Sequence, residues 1–117
     1  MTPRAPAGIG LDIVEIDRIR KLAQKTPRFL SRVFTKEEIS YCRAKKLPWQ
    51  HFAVRFAAKE AVWKALGSKG VSLRDISVAR GADGKPGVLL KGRPRPGILL
   101  SLSHGDHHAL AVALRTR

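Results

Sequence analysis

The spacing of apolar positions changes period twice along the chain. Residues 8–14, GIGLDIV, are apolar and β-branched with a single acid, which predicts a buried strand ending near Asp12. The period then becomes helical. In EIDRIRKLAQK, Ile16, Ile19 and Leu22 with Ala23 fall on one side, and Arg18, Lys21 and Lys25 on the other. Thr26 and Pro27 restart the chain, because threonine can cap a helix and proline suits its first turn. Phe29, Leu30, Val33 and Phe34 make a short amphipathic piece after them. Thr35 with Glu38 is a capping box, so a further helix is predicted over residues 36 to about 46, ended by KLPWQ. The longest helix is predicted over residues 52–66, closed by Gly67. Phe52, Phe56, Trp63 and Leu66 form its apolar stripe. Ala57 and Ala61 form a small-residue strip where another element can approach closely.

After GSKG the pattern is that of strands. DISVAR (75–80) and GVLLKG (87–92) flank the turn sequence GADGKP, and GILLSLS (97–103) and HALAVAL (108–114) flank HGDH, which predicts two hairpins. RPRPG (93–97) reads as a stiff connector and RTR as a frayed basic tail. The predicted class is α+β, an antiparallel sheet with helices packed on one face, in a single domain over residues 1–117.

Composition narrows the function. No apolar run approaches the length of a membrane span, and MTPRAPAG lacks the hydrophobic centre of an export signal. Cys42 is the sole cysteine, so no internal disulfide can form, which fits a reducing cytoplasm. Lys and Arg number 23 against 9 Asp and Glu, a formal net charge of +14. Such an excess implies anionic partners: nucleic acid, phosphorylated small molecules, an acidic protein or a membrane surface. It does not choose among them.

Three constellations could carry chemistry. Asp12 is an acid at the end of a buried strand, costly there unless paired or metal-bound, although acids near a helix start also serve as caps. Glu60 is the only acid in FAVRFAAKEAVWKALG, among Arg55, Lys59 and Lys64. With Lys64 it could be a simple surface pair one turn apart. Flanking alanines and aromatics suggest instead a covered position, where Glu60 could meet Asp12 across a sheet–helix contact. Two carboxylates completed by phosphate oxygens and water suit magnesium, with the basic neighbours on the phosphates. In SLSHGDHH, His104 ends a strand at a turn, while His107 and His108 read as hairpin surface rather than zinc ligands. The dinucleotide fingerprint, the P-loop, the G-x-S-x-G elbow and the zinc-finger and RNP motifs of nucleic-acid binders are absent.

GIGLDIVEIDRI (8–19), RFAAKEAVWKALG (55–67) and LSLSHGDHHALAVAL (100–114) together resemble the signature blocks of the holo-acyl-carrier-protein synthase family, the small bacterial 4′-phosphopantetheinyl transferases. FLSRVFTKEEI (29–39) and DISVARGADGKPGVLL (75–90) fall in the same order as similar family segments. The resemblance implies transfer of 4′-phosphopantetheine from coenzyme A to a serine of an acyl carrier protein, in support of fatty acid biosynthesis, with magnesium required. By resemblance, Asp12 and Glu60 are the metal ligands, and Lys64 lies near the reacting phosphate. Arg55 belongs to the nucleotide's phosphates, and His104 to the coenzyme A site. Glu60, directly or through water, is the expected base, with Asp12 as the other candidate. Arg18, Lys21, Lys25, Arg28 and Arg32, with Phe29 as an apolar anchor, match the region that docks the acidic carrier protein. The chain matches one half-unit of the larger transferases, so a homotrimer with interfacial sites is expected, with no nucleic-acid or membrane partner. The short KGRPRPG (91–97) departs from relatives that carry a helical stretch there, and His51 stands where relatives often have an aromatic. The alternative on charge alone is a basic nucleic-acid-binding domain, which would have no need of Asp12 and Glu60.

Overall fold

The computed structural model describes residues 5–67, 70–81 and 83–117. Residues 1–4, 68, 69 and 82, on which the readings of the chain start, the GSKG loop and the first hairpin turn partly rest, lie outside them. The order is β1 (Pro6–Glu15), α1 (Ile16–Lys25), α2 (Phe29–Val33), α3 (Lys36–Arg43), α4 (Pro48–Ala65), a 3-10 turn (Leu73–Asp75), β2 (Ile76–Arg80), β3 (Pro86–Leu90), β4 (Arg93–Pro94), β5 (Ile98–His104) and β6 (His108–Thr116). The strands divide between two antiparallel three-stranded sheets, β1-β6-β5 and β2-β3-β4. Among the described residues, no helix is long and apolar enough to cross a membrane.

The capping box forms as its sequence predicts, Thr35 Oγ1 accepting the Glu38 N–H and Glu38 the Thr35 N–H. Other boundaries move. β1 continues three residues past Asp12 to Glu15, paired with β6 without interruption from Gly8 onward. Thr26 caps no helix start with its side chain. Its N–H instead closes α1 on the Leu22 carbonyl, and α2 begins at Phe29. Helix α3 ends at Arg43, earlier than predicted. Helix α4 starts at Pro48, because proline at a first helical position sacrifices no internal hydrogen bond. Residues 91–97 carry no helix; Lys91 and Gly92 turn the chain with positive φ and Arg93–Pro94 adds a two-residue edge strand. The basic tail is not frayed: Arg115 Nε donates to the Ala65 carbonyl at 2.9 Å and its guanidinium to the Ala7 carbonyl at 3.1 Å. It therefore satisfies a carbonyl that the end of α4 leaves open.

Helix α4 is buried on most of its circumference. Ala61 and Ala65 press on β1, where the sequence supplies glycine. A Cβ on Gly10 would stand 1.8 Å from the Ala61 carbonyl oxygen, and one on Gly8 2.1 Å from that of Ala65. On its other side α4 holds Lys59, which is fully buried. Its ammonium pairs with Glu38 at 2.7 Å and donates to the carbonyls of Leu73 and Ile76. Burial lowers the Lys59 pKa and Glu38 opposes the shift. Lys59 is thus a structural tie among α4, α3 and the start of β2, and not one of the phosphate-facing cations expected around Glu60.

Candidate active site

Side chains of β1 alternate between two faces. Gly8, Gly10, Asp12 and Val14 face α4, whereas Ile9, Leu11 and Ile13 face away. The missing side chains of Gly8 and Gly10 let α4 come close, and Asp12 follows at the next inward position. Glu60 meets it from α4. Burial and the nearby Asp12 carboxylate push the Glu60 pKa up, and Lys64 acts against them. Lys64 does not simply pair along its own helix. Its ammonium reaches across to β1, 3.0 Å from the Leu11 carbonyl and 3.5 Å from Asp12 Oδ1. Asp12, Glu60 and Lys64 therefore form one group.

Arg55 and His104 form part of a second group. Both line a cleft of about 780 Å³ between α4, the β2-β3-β4 sheet and β5, together with His51, Arg80, Lys85 and Arg95. Among its described lining residues, none is Asp12, Glu60 or Lys64. Arg55 and Glu60 are five positions apart, which places them roughly 140° apart around the helix. A single chain thus presents the two carboxylates and the cationic cleft on different faces of α4.

Several residues in and behind this cleft carry no local sequence signal. Arg55 is buried and stacks on the ring of Tyr41 with 4.2 Å to the centroid, and Lys45 covers the same ring at 4.4 Å. His51, unassigned from the sequence, meets Tyr41 edge-on. Burial, followed by the charges of Arg55, Lys45, His104 and Arg80, lowers its pKa. Only the matches of Arg55 and His104 to motifs signalled this region; their partners come from elements too distant in sequence for local spacing to reveal. Cys42 takes no part, since burial pushes its thiol up to about 11 and keeps it protonated.

On α1, Arg18, Lys21 and Lys25 are exposed, as are Arg28 and Arg32 beyond it. Asp17 already engages Arg20 and Lys21, with Lys21 at 3.1 Å. Phe29 is half-buried, its ring edge-on to Phe56 with centroids 5.9 Å apart. Among the described residues, no group of three or more His, Cys, Asp or Glu converges, so His104, His107 and His108 build no such cluster.

Residues 8–113 match the profile of a family described as the 4′-phosphopantetheinyl transferase superfamily. A holo-[acyl-carrier-protein] synthase of Protochlamydia amoebophila is 48% identical over 116 residues, covering 92% of this chain and 95% of the relative. One of Caldanaerobacter subterraneus subsp. tengcongensis is 42% identical over 116 residues, 91% of each chain. Among solved structures, a holo-(acyl-carrier-protein) synthase from Bacillus anthracis in complex with CoA (3′,5′-ADP) superimposes with a TM-score of 0.80 at 35% identity, covering 95% of this chain and 96% of that one.

Proposed function

The chain belongs to the 4′-phosphopantetheinyl transferase superfamily, and from that premise we propose how its residues share the reaction. The protein transfers 4′-phosphopantetheine from coenzyme A to a serine of apo acyl carrier protein, giving the holo carrier and adenosine 3′,5′-bisphosphate. The nucleic-acid reading is set aside, since the family match spans nearly the whole chain.

The observation that carries the assignment is the convergence of Asp12, Glu60 and Lys64 where β1 meets α4. Two half-buried carboxylates repel each other there, with Lys64 as the nearby cation. Such a pair, completed by phosphate oxygens and water, fits magnesium. Asp12 and Glu60 would hold the ion, which when bound neutralises the diphosphate and polarises the phosphorus under attack. Glu60 is the base, acting directly or through water on the serine hydroxyl. The serine oxygen forms the new bond to the pantetheine-bearing phosphorus, and its proton passes to Glu60. The bond to the adenylate phosphate breaks, and Lys64 stabilises the charge left on that phosphate. Arg55 and His104 hold the nucleotide's phosphate in the cleft. Arg18, Lys21, Lys25, Arg28 and Arg32 steer the acidic carrier protein by charge, with Phe29 as the apolar contact.

These residues work across subunits of a homotrimer in the cytoplasm, residues 1–117 acting as one domain. Two observations support the assembly. The carboxylates and the cleft lie on different faces of α4, so a complete site needs the cleft of a neighbour. The sheet face turned away from α4 is also uncovered, with Ile9 68%, Leu11 60%, Ile13 59% and Leu99 57% exposed. Contiguous exposed apolar faces of this kind mark interfaces. Leu11→Arg should therefore lower the mass measured by light scattering from three times 12.9 kDa toward one, and lower activity with it. An active trimeric variant would reject this face as the interface.

The reaction itself is tested by intact mass spectrometry of an apo acyl carrier protein incubated with this protein, coenzyme A and magnesium. The carrier should gain one phosphopantetheine, and chelation should abolish the gain. No gain with several different carriers would refute the assignment.

A further inference from the structure

Arg55 is a buried cation held by an aromatic ring. Its residue is 7% exposed, and among the described residues no ion pair joins it to a carboxylate. Tyr41 instead receives the face of its guanidinium at 4.2 Å, with Lys45 at 4.4 Å from the same ring. Burial acts to raise the Tyr41 phenol, but Arg80, Arg55 and Lys45 bring it below its ordinary value, so Arg80 belongs to this cluster too. Arg55, Arg80 and His51 line the cleft, whereas Tyr41 and Lys45 are not among its lining residues. Tyr41 therefore stands behind Arg55 rather than in the path of a ligand. The one acid among the described lining residues, Asp83, accepts the backbone N–H of Lys85.

The way Arg55 is held matters. A carboxylate partner would occupy donors of the guanidinium and neutralise it. A ring face restrains its plane and leaves its charge, and the in-plane N–H donors not turned to the Tyr41 hydroxyl, for another group. Arg55, Arg80, Lys85 and Arg95 outnumber Asp83 along this cleft, and their mutual repulsion is relieved when an anion fills the space between them. The diphosphate of coenzyme A is assigned to Asp12, Glu60 and Lys64, on another face of α4. The phosphate left for this cleft is the one on the ribose 3′ position.

We propose that Tyr41 is a positioning residue that fixes Arg55 for the 3′-phosphate and so sets the preference for coenzyme A over dephospho-coenzyme A. The proposal rests on the reading of Arg55 as a phosphate ligand. Tyr41→Phe keeps the ring and loses the hydroxyl; Tyr41→Leu keeps most of the bulk and loses the ring.

The test is kcat/KM for coenzyme A and for dephospho-coenzyme A, at fixed carrier protein, for wild type, both Tyr41 variants and Arg55→Ala. Circular dichroism checks folding, and Tyr41→Met replaces Tyr41→Leu if the latter does not fold. Tyr41→Leu should lose about tenfold on coenzyme A and less than about twofold on dephospho-coenzyme A, while Tyr41→Phe restores most of the preference. Equal losses on both substrates, or no loss, would overturn the role of Tyr41 while Arg55→Ala still erased the preference. If wild type used both substrates equally, or Arg55→Ala left its preference intact, the reading of Arg55 would fail and the role of Tyr41 with it.

Discussion

Replacing Glu60 by glutamine will slow phosphopantetheine transfer about a thousandfold, the scale of removing a general base. The geometry gives Glu60 more than one duty. It supplies one of the two carboxylates beside Lys64, and it is the group placed to accept the serine proton. Glutamine keeps the shape, so the loss belongs to charge and basicity. The initial rate of mass gain on the carrier, followed at graded magnesium, is the measurement. A variant retaining more than about a tenth of the rate would remove Glu60 from the reaction.

The same substitution should raise the metal-free protein's resistance to heat at neutral pH. The folded-state pKa of Glu60 lies above its ordinary 4.5, so the folded protein holds the extra proton between those two values. Stability contributed by Glu60 then falls as pH rises through that window, and its full penalty is present above it. Glutamine removes the penalty. The advantage of the variant should vanish at pH values below the window, where Glu60 is protonated in both states.

Gly10→Ala will destabilise the fold by about 4 kcal/mol or more, beyond the ordinary range for overpacking. The added Cβ would meet three backbone atoms of α4: the Ala61 carbonyl oxygen at 1.8 Å, its carbon at 2.7 Å and the Ala65 nitrogen at 3.0 Å. No side chain can swing aside to make room. Either β1 leaves the helix or α4 bends, and each route separates Asp12 from Glu60. For a chain near this size the midpoint of thermal unfolding should drop by roughly 15–20 °C, measurable by circular dichroism. An unchanged midpoint would mean that α4 and β1 are less closely apposed than described.

The reach of local pattern explains which of these features the sequence discloses. Strand parity puts Gly8, Gly10 and Asp12 on one side, and helical spacing sets Ala57 and Ala61 beside Glu60 and Lys64, so the carboxylate pair is legible. The capping box is legible for the same reason, since its partners are three residues apart. Lys59 is not: nothing about a lysine beside Glu60 announces that its ammonium is fully buried against Glu38, contributed by another helix. The Tyr41 platform under Arg55 is hidden for the same reason. The division of the strands into two sheets depends on long-range pairing, which hydrophobic alternation does not encode. Arg115 reads as tail until the end of α4 is seen to need a donor.

The strand order β1-β6-β5 has a consequence for how the chain is made. The middle strand of this sheet follows every other strand in chain order, so β1 and β5 emerge from the ribosome with no hydrogen-bonding partner in this sheet between them. Only when β6 arrives can it pair with both, and its contacts with β1 span nearly the whole described chain. Contacts so distant in sequence impose a slow closing step. Until then the apolar strands remain unpaired, and chaperone demand should concentrate in that interval.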